Sequence, residues 1–374
     1  MKNCMREASG TEYDAWLASA CMPAGTVRIL LQRYQNSFAC FQAVKEKDPD
    51  IVSVIRPRFM ELLRQRSSTD YINRMKEQME RHSIGVLHIH DVCYPKALLD
   101  IDDPPALLFY QGDPECLRKR CLGMVGSRAA SFHGQKAARK ISENLGRHDI
   151  TIVSGFAGGI DSCAHRGCMD GGSPTIAVTG CGLDRVYPSD NIFLRNDILA
   201  GSGLILSEYA PGEKPEGWHF PVRNRIITGL SHALILIEAK IKSGSMTSVR
   251  HALEQGKDVF VYPGDPLSDY FEANHQLLRE GGIYFTKSED ILEDMHWLDN
   301  PSSVGQNSDC SAKVMAGSPE QEAIINALKQ GPLGFEQLLS YTRIDPSVMM
   351  GTLTILQING VIEAFPGKQY QLKQ

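Results

Sequence analysis

A chain of 374 residues with 39 Lys and Arg against 44 Asp and Glu carries a net charge of −5, and 42% of its residues are hydrophobic. That length implies two or three domains, and the composition a folded chain rather than a disordered one. The charge argues against a broadly basic, histone-like binder of nucleic acid. No apolar run approaches the roughly 18 residues of a membrane span, and Met1 to Gly10 lack a signal-peptide core, so a cytoplasmic protein is expected.

Residues 1–90, with 13 basic and 10 acidic side chains, read as helical. TEYDAWLASA, VRILLQRYQ and RFMELLRQR carry apolar residues at helical spacing, and the charges between Arg58 and Arg81 read as a solvated helix face. From about residue 85 the pattern changes. Short apolar runs (CLGMV, ITIVS, TIAVT, GLILS, ALILI, DVFVY) alternate with amphipathic helices, the signature of a parallel sheet wound on both faces. Such sheets bind ligands at the carboxyl ends of their strands. Residues 299–318 are rich in Asn, Ser, Gly and Asp and read as a linker. Residues 319–374 suggest three short helices, a strand, a Pro366-Gly367 turn and a second strand, which describes a winged helix. Asp345 and Pro346 suit the start of its third helix and Gly360 its end. With 4 basic residues against 5 acidic, this segment lacks the basic face of a duplex binder and is expected to contact a protein partner or modulate a dimer.

Ten cysteines include no C-x-x-C pair, and Cys163, His165 and Cys168 in SCAHRGC lack a fourth zinc ligand; reduced, buried thiols and no metal are expected. Four loops at predicted strand ends stand out: Gly126-Ser127-Arg128, Ser154 to Asp161, Phe220 to Arg225, and Ser243 to Thr247. Glycine lets a backbone approach a ligand, hydroxyls and successive amides suit an anion, and arginine forks onto phosphate. A dinucleotide site fails on two counts. The first turn is not G-x-G-x-x-G, and Ser154 ends the second strand where an acid is needed for the ribose. No Walker A motif occurs, so no nucleotide cofactor is expected. Candidate acids and bases are thin: Asp161 with His165 four residues on, and Glu208 and Glu238 at strand ends. Each reads more simply as a cap, or as a salt-bridge partner of Arg223 or Arg225.

YPKALLDIDDPPALLFYQGD, GSRAASFHG, SGFAGGIDSCAHRG, TIAVTGCGLDRVYP, SEYAPG, FPVRNRIITGLS and EAKIKSGSMTS, in this order across residues 85–295, resemble the DNA-processing protein family DprA, also called Smf. The resemblance implies an extended Rossmann-like, doubly wound α/β fold over residues 85–298. It would be flanked by a helical SAM-like domain (1–84) and a winged-helix, DML1-like domain (319–374). It also implies a homodimer, not an enzyme, that binds single-stranded DNA in natural transformation, protects incoming strands and loads RecA recombinase onto them. Carried over motif by motif, the DNA-binding residues are Ser127 and Arg128; Ser154, Gly155, Gly159 and Ile160; Phe220, Arg223, Asn224 and Arg225; and Lys242 and Ser243. Three positions depart from the family pattern. Gly158 stands where many members carry a cation, so one phosphate contact is either missing or supplied elsewhere, for example by Arg166 or Lys242. Ser248 ends SGSMTS, and Glu272 to Leu278 stand in place of a G-x-N-x-L-I run. Phosphoribohydrolases of the LOG type have similar turns, but their P-G-G-x-G-T-x-x-E motif is absent.

Overall fold

A computed structural model of the protein describes residues 10–298, 319–329, 333–358, 361–365 and 369–372. The expected linker at 299–318, the helix stop at Gly360 and the Pro366-Gly367 turn lie outside them. The chain divides into two compact units, Met1–Leu298 and Asp299–Gln374.

The first unit opens with six helices: α1 Thr11–Ser19, α2 Ala24–Tyr34, α3 Ser37–Glu46, α4 Pro49–Val54, α5 Pro57–Gln65 and α6 Thr69–Arg81. Their amphipathic spacing works as expected. In α6, Ile72, Met75 and Met79 are buried while Arg74, Lys76 and Glu77 face solvent. There follow β1 Gly85–His88, α7 Lys96–Leu99, β2 Leu107–Gly112, β3 Cys121–Val125, α8 Phe132–Arg147, β4 Thr151–Ser154, α9 Ile160–Asp170 and β5 Thr175–Thr179. The series ends with α10 Ile192–Ala200, β6 Leu204–Ser207, α11 His219–Leu230, β7 Leu234–Leu236, α12 Ser245–Glu254, β8 Val259–Val261, α13 Glu272–Arg279, β9 Ile283–Tyr284 and α14 Ser288–Asp294. Hydrophobic packing runs across residue 85: Ala106 and Leu107 belong to the same core as Trp16, Leu30, Phe41 and Leu63.

Nine strands form one sheet in the order β1-β2-β6-β5-β4-β3-β7-β8-β9. From β6 to β9 all pairings are parallel, whereas β1 pairs with β2, and β2 with β6, in antiparallel fashion. Alternate residues of the central strands feed two layers. Leu122, Ile152 and Ile235 pack with α8 and α9, and Val153, Leu234 and Leu236 with α11 and α12. Both faces being covered explains why these strands read as unbroken apolar runs. The chain leaves β3 toward β4 on one side and later returns to β7 on the other. The turns after β3 and β7 therefore flank the crevice where the winding direction reverses, the usual ligand position in such sheets.

The second unit contains α15 Pro319–Leu328, β10 Leu333–Gly334, α16 Phe335–Thr342, α17 Pro346–Ile358, β11 Ile362–Phe365 and β12 Gln369–Leu372, with its strands in the order β10-β12-β11. Ile324, Leu328, Leu338, Met349, Leu353, Leu356 and Ile362 form its core.

Candidate nucleic-acid interface

An open groove of about 590 Å³ lies over the crevice. Ser127 and Arg128 reach it from the turn after β3, Gly155, Ala157 and Asp161 from the segment after β4, and Tyr187 from the connection after β5. Phe220, Arg223 and Asn224 come from α11, and Ser243, Gly244 and Ser245 from the turn after β7. Helices α9, α11 and α12 all begin at this groove, so their N-terminal partial charges favour an anion there.

Two glycines allow the close approach of these segments. Gly159 has φ +71°, and a Cβ on it would strike the carbonyls of Ser127 and Arg128. A Cβ on Gly155 would come within 2.7 Å of the Asp161 carboxylate and 2.8 Å of the Arg223 guanidinium. The amides expected to form an anion nest are partly committed: Ala157 N–H donates to Asp161 Oδ2 at 3.2 Å and Ile160 N–H to the Ser127 carbonyl at 3.2 Å.

Arg223 is buried beneath the groove floor. Its Nη1 donates to the carbonyls of Gly155 (2.6 Å) and Val178, and its Nε donates to Asn224 Oδ1 at 3.2 Å. Burial lowers its pKa to about 10, opposed by the neighbouring Asp161. Burial likewise pushes the Asp161 carboxyl above its ordinary range, with Arg223 and the Ala157 amide pulling it back. Above them lies an aromatic platform. The Phe220 ring has the Arg128 guanidinium 5.1 Å and the Arg223 guanidinium 5.9 Å from its centroid, and Tyr187 packs against it at 5.5 Å. Two cations, an aromatic pair and hydroxyls from Ser127 and Ser243 can hold phosphates while stacking a base, with nothing that reads its identity.

Not every residue named from the sequence faces this groove. FPVRNR is not a strand-end loop but the first turns of α11, with Pro221 in the initial turn, where its missing N–H costs nothing. Successive side chains on a helix point about 100° apart, so Arg223 and Arg225 diverge. Arg225 lies on the far side. Its Nη1 and Nη2 donate to Glu208 at 2.9 and 2.7 Å, and Asp103 is 3.5 Å away. Glu208 is thus a salt-bridge partner, and Glu238 accepts from the Ser131 amide at 3.0 Å. Ser154 is buried and donates to the Met124 carbonyl at 2.7 Å, and Ile160 is a core residue. Lys242 is exposed beside Ser243 without lining the groove, and Arg166 pairs with Asp197 at 3.6 Å. In SCAHRGC, His165 Nδ1 meets Thr175 Oγ1 at 2.8 Å, burial lowers its pKa to about 3, and Cys168 is fully buried. Tyr187 was missed, although it stands in the quoted run TIAVTGCGLDRVYP; nothing in that run marks its ring for Phe220.

Known proteins are similar to this chain in sequence and fold. The family described as DNA recombination-mediator protein A matches residues 85–296, and the DprA winged helix domain matches residues 311–368. DNA processing protein DprA of Streptococcus pneumoniae is 44% identical over 222 residues, 59% of this chain and 77% of its own. Its X-ray structure superposes with a TM-score of 0.65 at 35% identity, covering 76% of this chain and 97% of that one. Protein Smf of Synechocystis sp. is 30% identical over 97% of this chain and 99% of its own. DNA processing protein A of Helicobacter pylori, whose structure concerns its single-stranded DNA binding mode, aligns with a TM-score of 0.52 at 29% identity, over 57% of this chain and 95% of that one. The match over more than half the chain, joined to the winged-helix match and to a relative aligned over nearly all of it, makes this chain a member of the DprA (Smf) family of DNA-processing proteins.

Proposed function

We propose that the chain binds single-stranded DNA in this groove, without sequence preference, as a DNA-processing protein of natural transformation. The observation that carries this reading is the Phe220 ring with the Arg128 and Arg223 guanidiniums and the Tyr187 ring close by. A base can stack on that ring only when it is unstacked from its neighbours, which a single strand permits and a duplex does not. The Helicobacter pylori relative, known for its single-stranded DNA binding mode, supports the assignment.

The groove is a binding surface, not a catalytic centre. Glu208 is spent on Arg225, Glu238 on Ser131, and Asp161 receives the Ala157 N–H beside Arg223. By family resemblance, the protein is a cytoplasmic homodimer that shields incoming strands and loads RecA recombinase onto them. Its winged helix then serves a protein contact or the dimer. A mediator of this kind gains from contacts to phosphate and base faces alone, since it must accept any incoming sequence.

The test is fluorescence anisotropy of labelled oligo-dT across a salt series. Each phosphate contact contributes about 0.7 to the log–log salt slope for a single strand. Arg128→Ala should weaken binding and lower the slope by about that amount. Unchanged affinity and slope would remove Arg128 from the site, and a wild-type protein that ignored oligo-dT would remove the proposal.

A further inference from the structure

Glu238 poses a problem for an anion-binding groove. It is a fully buried carboxylate at the end of β7, a few residues from the groove-lining Ser243, and its partners are neutral. A buried carboxylate held without a cation is costly, and its field opposes a phosphate nearby. Its contacts explain what it does instead. The Glu238 carbonyl accepts the Ser127 N–H at 2.8 Å. Its carboxylate accepts the Ser131 N–H at 3.0 and 3.1 Å and the Ser131 hydroxyl at 2.5 Å. Ser131 Oγ in turn caps α8 by accepting the Gly134 N–H at 3.0 Å, which places the carboxylate at the positive end of that helix. One residue therefore grips both ends of the short turn that carries Arg128.

A second buried polar side chain fixes Glu238 itself. Asn274, fully buried on α13, accepts the Ala239 N–H at 2.9 Å and donates to the carbonyls of Ile237 (3.0 Å) and Tyr262 (2.8 Å). Every hydrogen-bonding group of that amide except one lone-pair site is thereby used on the chain flanking Glu238 and on the end of β8.

We propose that Glu238 and Asn274 are positioning residues for the single strand, touching no DNA and acting through the turn that holds Arg128. This rests on the reading of the groove given above. The dependence on Arg128 makes it testable by a double-mutant cycle. Oligo-dT affinity is measured for the wild type, Glu238→Ala, Arg128→Ala and the double variant. The expected result is a loss of about tenfold for Glu238→Ala, the scale of one charge-assisted contact, with the salt slope lowered as in Arg128→Ala and no further loss in the double variant. Glu238→Gln, which keeps an oxygen for the Ser131 N–H, should restore most of the binding. Asn274→Ala should fall between the two. Wild-type affinity in Glu238→Ala, or losses that simply add in the double variant, would overturn the proposal. If Glu238→Ala does not fold by circular dichroism, Ser131→Ala carries the same cycle with the same two outcomes. A weakened Arg128→Ala alongside an unaffected Glu238→Ala sinks only this inference; an unaffected Arg128→Ala sinks the groove assignment itself.

Discussion

Arg223 and Arg225 lie two residues apart on α11 and are buried almost equally, at 4% and 7% exposure. Arg225 meets Glu208 through two nitrogens and has Asp103 close by, so its charge is balanced before any ligand arrives. Arg223 is held mainly by backbone carbonyls, which fix a guanidinium without neutralising it, and the neighbouring Asp161 only opposes the effect of burial on its charge. The difference shows that burial does not say whether an arginine serves structure or ligand. What it is bonded to does: dipoles leave the charge available, and carboxylates consume it.

Three substitutions sharpen or break this contrast. The largest effect is expected from Arg225→Ala, which strands Glu208 without its partner; such losses run to about 3 kcal/mol. Urea unfolding should show that loss, while the salt slope for oligo-dT stays at its wild-type value. A fall in slope would put Arg225 on the DNA and erase the distinction. Next comes Phe220→Ala, which removes the aromatic platform near the two cations. Stacking of one base is worth about 1–3 kcal/mol, so affinity should drop by that amount with little change in slope, the opposite signature to a lost cation. The smallest effect is a gain. Gly158 has an open surrounding, with the Arg128 carbonyl at 3.9 Å as the nearest atom to a new Cβ. Gly158→Lys should therefore fit and raise the salt slope by up to about 0.7; an unchanged slope would show that this corner lies off the path of the strand.

Much of the candidate groove was legible because glycine and strand ends mark turns locally. Gly155 and Gly159 announced close approach, and the strand–helix alternation placed their turns at one edge of the sheet. FPVRNR misled because Phe-Pro reads as a loop when the pattern is taken residue by residue. Only the helical pitch separates Arg223 from Arg225, and that pitch depends on α11 starting at His219. The ring pair of Tyr187 and Phe220 joins residues more than thirty positions apart, a contact made by the order of strands rather than by any local signal. The antiparallel pair β1 and β2 escaped for a similar reason: four and six residues long, they gain their identity from β6.

That pair has a consequence for how the molecule behaves in a crowd of its own copies. A parallel sheet that ended at β6 would expose a row of unpaired amides and carbonyls, a template for strands of other chains. Here β2 occupies that row and β1 covers β2, with Val86 packed against the core of the six helices. The opposite border, β9, is two residues long. The free edges are thus the four residues of β1 and the two of β9, both short for a template. Borders this short keep the sheets of separate copies from zipping together at high concentration.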